Sequence, residues 1–207
     1  EFGESPDILQ VHNLSVLDAQ SRVWRGHMAQ SRFVRVEYEP VPAVADGMGG
    51  HAGGDVASAS TVLDMIHLDH DDYPEGADTV LADEIQTANS LLSELVHQNP
   101  KLSGMGTTVT ALLLEDRKLH FAHIGDSRAY LLRDGVLTQI TQDHTWVQRL
   151  VDEGRITEEE ATTHPQRSLL MRALGSGDHV DPDLSIREVR AGDRYLIFAQ
   201  MRLIDLV

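Results

Sequence analysis

A run of glycines directly behind an aspartate is the first feature of this sequence with the chemistry of a binding site. The run reads Asp46-Gly47-Met48-Gly49-Gly50-His51-Ala52-Gly53-Gly54. Asp46 follows a predicted buried strand and supplies a charged oxygen, and Gly47 can turn its carbonyl toward an ion, so the pair suits a hard divalent cation. The alternative is a tight strand-to-helix turn without a ligand, because glycine permits positive φ and close packing. The run matches neither a phosphate-binding loop nor a dinucleotide-binding turn.

Histidine is the second residue type with potential for chemistry, and the sequence has 11 of them. His51, inside the glycine run, is a candidate proton donor because the ordinary histidine pKa lies near neutral pH. The alternative for His51 is a side chain that packs or hydrogen-bonds within its own turn. His120 and His123 are three residues apart on a predicted strand and point to opposite faces, which makes them a poor joint metal site.

Composition narrows the classes of protein to which the chain can belong. Its 207 residues include 33 acidic and 17 basic side chains, for a net charge of −16, and this field disfavours nucleic acid as a partner. No apolar run approaches the about 18 residues of a membrane span. The absence of cysteine excludes disulfides and thiolate metal sites. No secretory signal opens the sequence, so we expect a cytoplasmic location.

The first half of the chain predicts strands followed by two helices. Strands are predicted at 11–16, 33–38 and 41–45, where β-branched and aromatic residues concentrate. A helix is predicted from Asp55 to Leu68, and apolar spacing places four residues on its buried face: Val56, Ala59, Leu63 and Ile66. A longer amphipathic helix is predicted from Asp78 to His97, and Pro100 lies beyond its end. Its predicted apolar face consists of six residues: Leu81, Ile85, Ala88, Leu92, Leu95 and Val96.

The second half predicts strands interrupted by a polar insertion. Strands are predicted at 107–114, 119–124, 129–132 and 136–140, the last two joined by Arg133-Asp134-Gly135 as a hairpin. Residues 143–175 are polar with two short helical segments, and 184–189 and 195–198 are predicted to pair as the final strands. This order predicts a single α+β domain over 1–207, with antiparallel sheets covered by a helix pair.

Several stretches, in this order, resemble the metal-dependent protein phosphatases of the protein phosphatase 2C type, particularly the bacterial members. They are the glycine run, Gly104-Met105-Gly106-Thr107-Thr108, Ile124-Gly125-Asp126-Ser127-Arg128-Ala129-Tyr130, Thr141-Gln142-Asp143-His144, Leu170-Met171-Arg172-Ala173-Leu174-Gly175 and Gly192-Asp193-Arg194-Tyr195-Leu196. The resemblance implies two antiparallel β-sheets in a sandwich flanked by helix pairs. It also identifies residues 143–175 as the family's flap beside the active site, which is taken to influence substrate choice.

The resemblance also implies a reaction. In this family two Mg²⁺ or Mn²⁺ ions share a water that attacks the phosphorus of phosphoserine or phosphothreonine without a covalent intermediate. Paired cations lower the pKa of such a water and neutralise charge on the phosphoryl oxygens. Asp46 corresponds to the metal-bridging aspartate and Gly47 to the carbonyl ligand. Arg25 falls where bacterial members have a phosphate-binding arginine, with an ordinary surface cation as the alternative.

Two stretches depart from the family's metal-binding pattern. Gln30 stands where an aspartate usually meets the metals, and a neutral amide oxygen offsets little of a cation's charge. Near the end, Gln200-Met201-Arg202-Leu203-Ile204-Asp205 replaces Ser-Asp-Gly-Leu-x-Asp. Met201 thus substitutes a soft thioether for a metal aspartate, and Arg202 adds a fixed positive charge. Each lost carboxylate removes several kcal/mol of attraction, even at an effective dielectric of about 20.

The sequence also ends at Val207, where the family continues to a last metal aspartate, so we expect that C-terminal motif to be missing here. Asp126 and Asp205 match positions that hold an accessory third metal in some members. The alternative for Asp126 is a structural role in the turn before Ser127, and for Asp205 a helix cap or a solvated surface residue.

These departures lead to three hypotheses. The first is a pseudophosphatase, in which weak or absent Mg²⁺ or Mn²⁺ binding leaves a fold that binds a protein or phosphopeptide partner. The alternative is an active or residually active Mg²⁺- or Mn²⁺-dependent phosphatase of phosphoserine and phosphothreonine, with ligands supplied by segments outside this sequence. A third hypothesis is engineered substitution, because both departing stretches fall on the metal centre.

Overall fold

The computed structural model describes most of the chain between residues 14 and 199. The described segments are 14–18, 23–26, 43–65, 68, 73, 75–115 and 117–199, with 14–18, 23–26 and 51–52 described as backbone only. The predicted strand at 33–38 lies outside these segments, as do Gln30, Met201, Arg202 and Asp205.

Two antiparallel sheets form the centre of the described structure, as the resemblance implied. In one sheet the order is β2-β1-β11-β8-β9, with strands Val23–Gly26, Leu14–Asp18, Arg194–Phe198, Arg128–Arg133 and Val136–Gln139. In the other the order is β10-β7-β6-β3, with strands Asp183–Glu188, Lys118–Ile124, Val109–Glu115 and Ala43–Val44. A short two-stranded ladder pairs β4 (Gly47–Met48) with β5 (Gly106–Thr107).

The two main sheets pack face to face around one of the two apolar clusters. Leu112 and Phe121 are directly opposite each other on β6 and β7, and they share this cluster with Leu131, Tyr195 and Ile197 from the other sheet. Phe121 and Tyr195 are in ring contact, with centroids 5.8 Å apart. Because side chains alternate between the faces of a strand, the intervening residues are left for the opposite face of the sheet.

The second apolar cluster lies between the four-stranded sheet and two helices. These are α1 (Gly50–Met65) and α2 (Ala77–Gln98), which contact each other and contribute to one core with residues of β6 and β7. On α2 the predicted apolar face is confirmed: Leu95 and Val96 are partly buried against the core, and the other four residues are buried, namely Leu81, Ile85, Ala88 and Leu92. The helix ends at Gln98, and Pro100 begins a single 3-10 turn that Asn99 caps.

The predicted face of α1 is wrong at two of its four residues, while Val56 packs against the core as predicted and Ile66 lies outside the described residues. Leu63 is 60% exposed and Ala59 is also exposed, whereas Ala57, Thr61 and Met65 are buried. The helix begins at Gly50, five residues earlier than predicted, so the glycine run forms its first turns. A Cβ at Gly53 would lie 3.2 Å from Cβ of Met105. The closely packed side of α1 is therefore the one with small side chains, and not the one with the most apolar side chains.

The last two strands do not pair with each other, contrary to prediction. β10 pairs with β7, while β11 pairs with β1 and β8 in the other sheet. The connection through Gly192 therefore crosses between the sheets, and Arg133 holds it by binding the buried Asp193 carboxylate through two nitrogens at 2.6 and 2.7 Å. The predicted hairpin is confirmed, because β8 and β9 flank a two-residue turn with positive φ at Asp134 and Gly135.

Candidate metal site and cleft

The candidate site lies at the edge of the sandwich where three chain segments meet. Antiparallel pairing brings the ends of β3 and β7 to the same edge as the start of β6, so that Asp46, Asp126 and Thr108 come together. These residues line an open cleft together with Gly47, Met48, Ser168 and Leu170.

Hydrogen bonds fix the backbone at Asp46. Its N–H donates to Oγ1 of Thr108 over 3.1 Å, and the N–H of Thr108 donates to the carbonyl of Asp46 over 3.0 Å. The Thr108 hydroxyl is in turn 2.7 Å from Oγ of Ser127, which is fully buried. With its main chain held on both sides, Asp46 presents its carboxylate to the cleft on a rigid support.

Gly47 is the position in the glycine run where a larger residue would collide most severely. Any Cβ there would collide with the carbonyl group of Gly54 in the first turns of α1. The helix therefore packs directly on the backbone of the strand that follows Asp46, and a carbonyl at this place is available to a cation without an obstructing side chain.

Asp126 is the second carboxylate of the cleft and is only 5% exposed. Burial raises its pKa to about 6, and the negative charges of Asp143 and Asp46 act in the same direction. Its own backbone amide and Arg128 oppose this shift only in part. Asp46 and Asp126 disfavour each other's ionisation, and a divalent cation bound between them would relieve this repulsion. Carboxylate oxygens are also the ligands that hard cations prefer, so the residues present fit Mg²⁺ or Mn²⁺.

Asp143 is buried behind Asp126 and has a cationic partner. Nε and Nη2 of Arg128 donate to the two carboxylate oxygens of Asp143, over 2.9 and 2.7 Å. This paired geometry raises the pKa of Arg128 above its ordinary value. Asp143 is therefore engaged as a structural ion pair that ties the 141–144 loop to the start of β8.

Two buried histidines pack beside the turn that holds Asp126. The rings of His123 and His144 have centroids 4.9 Å apart. Burial lowers the pKa of His123 to about 4, and proximity to His144 adds to that effect. Nδ1 of His123 is 2.8 Å from Oγ1 of Thr110 and its Nε2 is 3.1 Å from the carbonyl of Gln142. Both ring nitrogens are therefore engaged inside the protein.

His120 lies in different surroundings from His123, as the sequence predicts. Its ring is buried, with Nε2 3.4 Å from a carboxylate oxygen of Glu115. Within the described segments, no group of three or more histidine, aspartate or glutamate side chains is arranged to hold a metal. A complete metal site would therefore need ligands beyond Asp46, Gly47 and Asp126.

Within the predicted flap, 143–175, residues 145–172 form an excursion whose two ends are joined, and we restrict the term flap to these residues, 145–172. It contains α3 (Trp146–Asp152) and α4 (Glu158–Thr163), the short helices that the sequence predicts. The N–H of Trp146 donates to the carbonyl of Leu169 over 2.9 Å, and Thr145 forms a bridge with Leu170. Ser168 and Leu170, near its end, form one wall of the cleft.

The structure brings some of the predicted site residues together and leaves others outside the description. Asp46, Gly47 and Asp126 meet at one cleft, whereas the substituted positions and Asp205 lie outside the described residues. Arg25 lies in β2 and His51 in the first turn of α1, both described as backbone only. From the sequence, no individual role was assigned to four residues that shape the site: Thr108, Asp143, His144 and Ser168. All of these except Ser168 fall in the stretches that resemble the phosphatase family.

Together, the two antiparallel sheets, the buried carboxylates at their edge and the adjoining flap define the class of metal-dependent phosphatase-like domains. A comparison with family models agrees: residues 27–207 match the model of protein phosphatase 2C. The chain belongs to the protein phosphatase 2C family.

Proteins similar in sequence to this chain include bacterial serine/threonine phosphatases. The chain is 58% identical over 156 residues to the serine/threonine protein phosphatase PstP of Mycobacterium tuberculosis, covering 75% of this chain and 30% of that protein. It is 40% identical over 168 residues to a putative protein phosphatase 2C-type protein of Streptococcus pyogenes, covering 79% and 67%. The chain thus spans less than a third of the length of the mycobacterial relative.

A solved structure provides the matching fold. The catalytic domain of PstP in complex with two manganese ions superposes with a TM-score of 0.69 at 52% identity, covering 76% of this chain and 66% of that one. In the described part of the present chain, no helix is long and apolar enough to cross a membrane.

Proposed function

We propose that this chain is a Mg²⁺- or Mn²⁺-dependent protein phosphatase that hydrolyses phosphoserine and phosphothreonine in protein substrates. One observation supports this most directly: Asp46, Gly47 and the buried Asp126 line a single open cleft, and the two carboxylates act on each other's ionisation. In a domain that only binds a partner, two carboxylates that repel each other in one cleft would have no function.

The proposed ligands follow from this arrangement. The Asp46 carboxylate and the Gly47 carbonyl would hold one part of the metal centre, and Asp126 with Asp205 an accessory part. When bound, the divalent ions activate a water and neutralise charge on the phosphoryl group. The residues of this chain fix the place where that happens, because Thr108 holds the Asp46 backbone by two hydrogen bonds and Ser127 in turn hydrogen-bonds the Thr108 hydroxyl.

The remaining site residues would serve the substrate. Arg25 is the proposed contact to the phosphoryl group, and His51 the proposed proton donor to the leaving serine or threonine oxygen. Ser168 and Leu170 belong to the wall that the flap contributes, so they are placed to contact the peptide beside the phosphorylated residue. The open shape of the cleft suits a phosphorylated side chain on a protein surface better than a small, enclosed substrate.

Of the three sequence hypotheses, we adopt the active phosphatase. The relatives compared above are named as phosphatases, and Asp46 and Asp126, two of the proposed ligands, line one cleft. Gln30, Met201 and Arg202 still replace expected ligand positions, so we expect metal affinity and turnover below those of relatives with the full set. A phosphoprotein substrate and a cytoplasmic location stay predictions of the sequence.

Hydrolysis of a phosphothreonine peptide by the whole chain with millimolar Mn²⁺ tests the proposal. We expect turnover that chelator abolishes and that Asp46→Asn reduces by at least about 100-fold, because the exchange removes a charged ligand. Asp134→Asn is the matched control, since it makes the same change at an exposed hairpin turn away from the cleft and should leave turnover unchanged. Wild-type protein without turnover would refute the proposal and restore the pseudophosphatase hypothesis.

A further inference from the structure

His144 connects the turn of Asp126 to the flap. Its backbone N–H donates to the carbonyl of Gly125 over 2.7 Å, and its Nδ1 accepts from the N–H of Gly125 over 3.0 Å. Its own carbonyl accepts from the N–H of Met171 over 2.8 Å, at the end of the flap. One residue therefore holds the peptide that precedes Asp126 and also the strand-like end of the segment that forms the cleft wall.

These contacts specify the proton position on the imidazole. The Gly125 amide can only donate, so Nδ1 of His144 must be the unprotonated nitrogen, and a neutral ring has its proton on Nε2. Burial lowers the pKa of His144, although the hydrogen bond to Asp183 opposes that effect, so the neutral form of the ring is favoured. The Nε2–H then donates to Oδ2 of Asp183 over 2.9 Å.

Asp183 also binds the end of the flap. Nη1 of Arg172 donates to Oδ1 of Asp183 over 2.7 Å, and Nη2 of Arg172 donates to the carbonyl of Asp181. Nη1 of Arg172 lies only 2.9 Å from Nε2 of His144, and both nitrogens are donors. The two donors can be this close because the Asp183 carboxylate lies beside both and accepts one bond with each oxygen.

We propose that Asp183 is a positioning residue that couples the seating of the flap to the placement of Asp126, acting through Arg172 on one side and His144 on the other. Its carboxylate is the group that can satisfy both donors at once. The proposal deepens the proposed phosphatase function, because the flap supplies the cleft wall that faces the phosphorylated peptide and Asp126 is a proposed metal ligand. Asp183 itself does not line the cleft.

Replacement of Asp183 by asparagine shows why the carboxylate matters. In the wild-type geometry His144 and Arg172 bind different oxygens of Asp183. The amide replaces one of these oxygens with a donating NH₂ group, so in that geometry it can satisfy His144 or Arg172 but not both. Either the Arg172 charge faces another donor, or the His144 proton moves to Nδ1 and opposes the Gly125 N–H. Both outcomes loosen the turn of Asp126 and the end of the flap together.

Amide hydrogen exchange on the metal-free chain tests this coupling without reference to activity. In Asp183→Asn we expect the amides of Gly125 and Met171 to exchange about two- to tenfold faster, the range that one lost hydrogen bond produces. Asp193→Asn is the matched control, since Asp193 also accepts from two nitrogen donors, here both from Arg133 at the other end of β8. It should leave both amides unchanged.

Two further variants separate coupling from simple loss of structure. Arg172→Gln removes only the flap side, and the proposal requires faster exchange at Gly125 even though Arg172 makes no bond to it. Asp183→Glu keeps both acceptor oxygens and should restore part of the protection. Long-range ¹H–¹⁵N spectra of the His144 ring should show the proton on Nε2 in wild type and a shifted tautomer population in Asp183→Asn.

Function supplies a second readout. With Mn²⁺ present, Asp183→Asn should weaken metal binding by a similar factor of about two to ten and raise the KM for a phosphopeptide more than it lowers kcat. Unchanged exchange at Gly125 in both Asp183→Asn and Arg172→Gln would overturn the coupling. A wild-type chain with the expected exchange but no turnover would refute the proposed function alone.

Discussion

The charge of Asp126 should destabilise the metal-free protein, and Asp126→Asn tests this directly. Asp126 is buried, faces the same cleft as Asp46 and has Asp143 nearby, and these surroundings raise its pKa from 3.8 to about 6. A group whose pKa is higher in the folded state binds its proton more tightly there, so stability falls as pH rises from 3.8 to 6. Above pH 6 the full cost of the ionised carboxylate is present.

The size of this cost follows from the two pKa values. At about 1.36 kcal/mol per pH unit, the interval from 3.8 to about 6 corresponds to about 3 kcal/mol. Asparagine keeps the shape of the side chain and can accept the hydrogen bond of the turn, but it has no charge. We therefore expect Asp126→Asn to stabilise the metal-free protein by up to about 3 kcal/mol at pH 7.5, and to give no gain near pH 3.8.

Urea unfolding in chelator, at a series of pH values, measures the effect as a difference between variants. The difference cancels the titration of the other acidic groups, which is necessary in a chain of net charge −16. Asp134→Asn, the same exchange at an exposed turn, should show a difference close to zero at every pH. A variant that is less stable than wild type at pH 7.5 would refute the electrostatic reasoning, because the carboxylate would then be stabilising.

Addition of Mn²⁺ should reverse the order of stability. A ligand at 100 times its dissociation constant stabilises the folded state by about 2.7 kcal/mol. Wild-type protein should gain this stabilisation because the cation relieves the repulsion between Asp46 and Asp126, whereas Asp126→Asn should gain less. An equal gain in both proteins would exclude Asp126 from the metal site.

Two predictions concern the packing that supports the cleft. Gly125→Ala should cost about 2–4 kcal/mol in unfolding experiments, because φ at this position is +109° and the new Cβ would collide with Thr108; a loss below about 1 kcal/mol would contradict the strain. On α1, Ala57→Leu should cost about 1–3 kcal/mol, whereas Leu63→Ser should change stability by no more than about 0.5 kcal/mol; the reverse order would restore the face that the sequence predicted.

Much of the fold follows from local patterns in the sequence. The amphipathic spacing of α2 predicts its buried face, and the Asp134-Gly135 turn predicts the hairpin, because in each case adjacent residues determine the structure. The face of α1 was wrong because that helix packs through small residues, and hydrophobicity does not identify such a contact. The pairing of β10 and β11 was wrong because the sheet that each strand joins depends on distant strands.

Some residues of the candidate site can also be predicted from local sequence, and others cannot. Asp46 and Gly47 could be found because an acid followed by glycines after a buried strand is a local signal, and the family resemblance adds Asp126. Asp183 has no such signal, since it is an acidic residue at the start of an exposed edge strand, and only the packing against His144 and Arg172 gives it a role. Residues that position others depend on contacts from several segments, which the local sequence does not encode.

Acidity as such does not mark the metal site in this chain, and burial separates the acids that serve different purposes. Glu160 completes a capping box with Thr157 at the exposed start of α4, where water screens its charge. Asp126 has the same charge but lies buried beside another acid, so its ionisation costs the metal-free fold stability. Among the described residues, Arg128 is the cation that acts on Asp126, and it is already paired with Asp143. A divalent cation in the cleft is therefore the partner that we expect to offset the charge of Asp126.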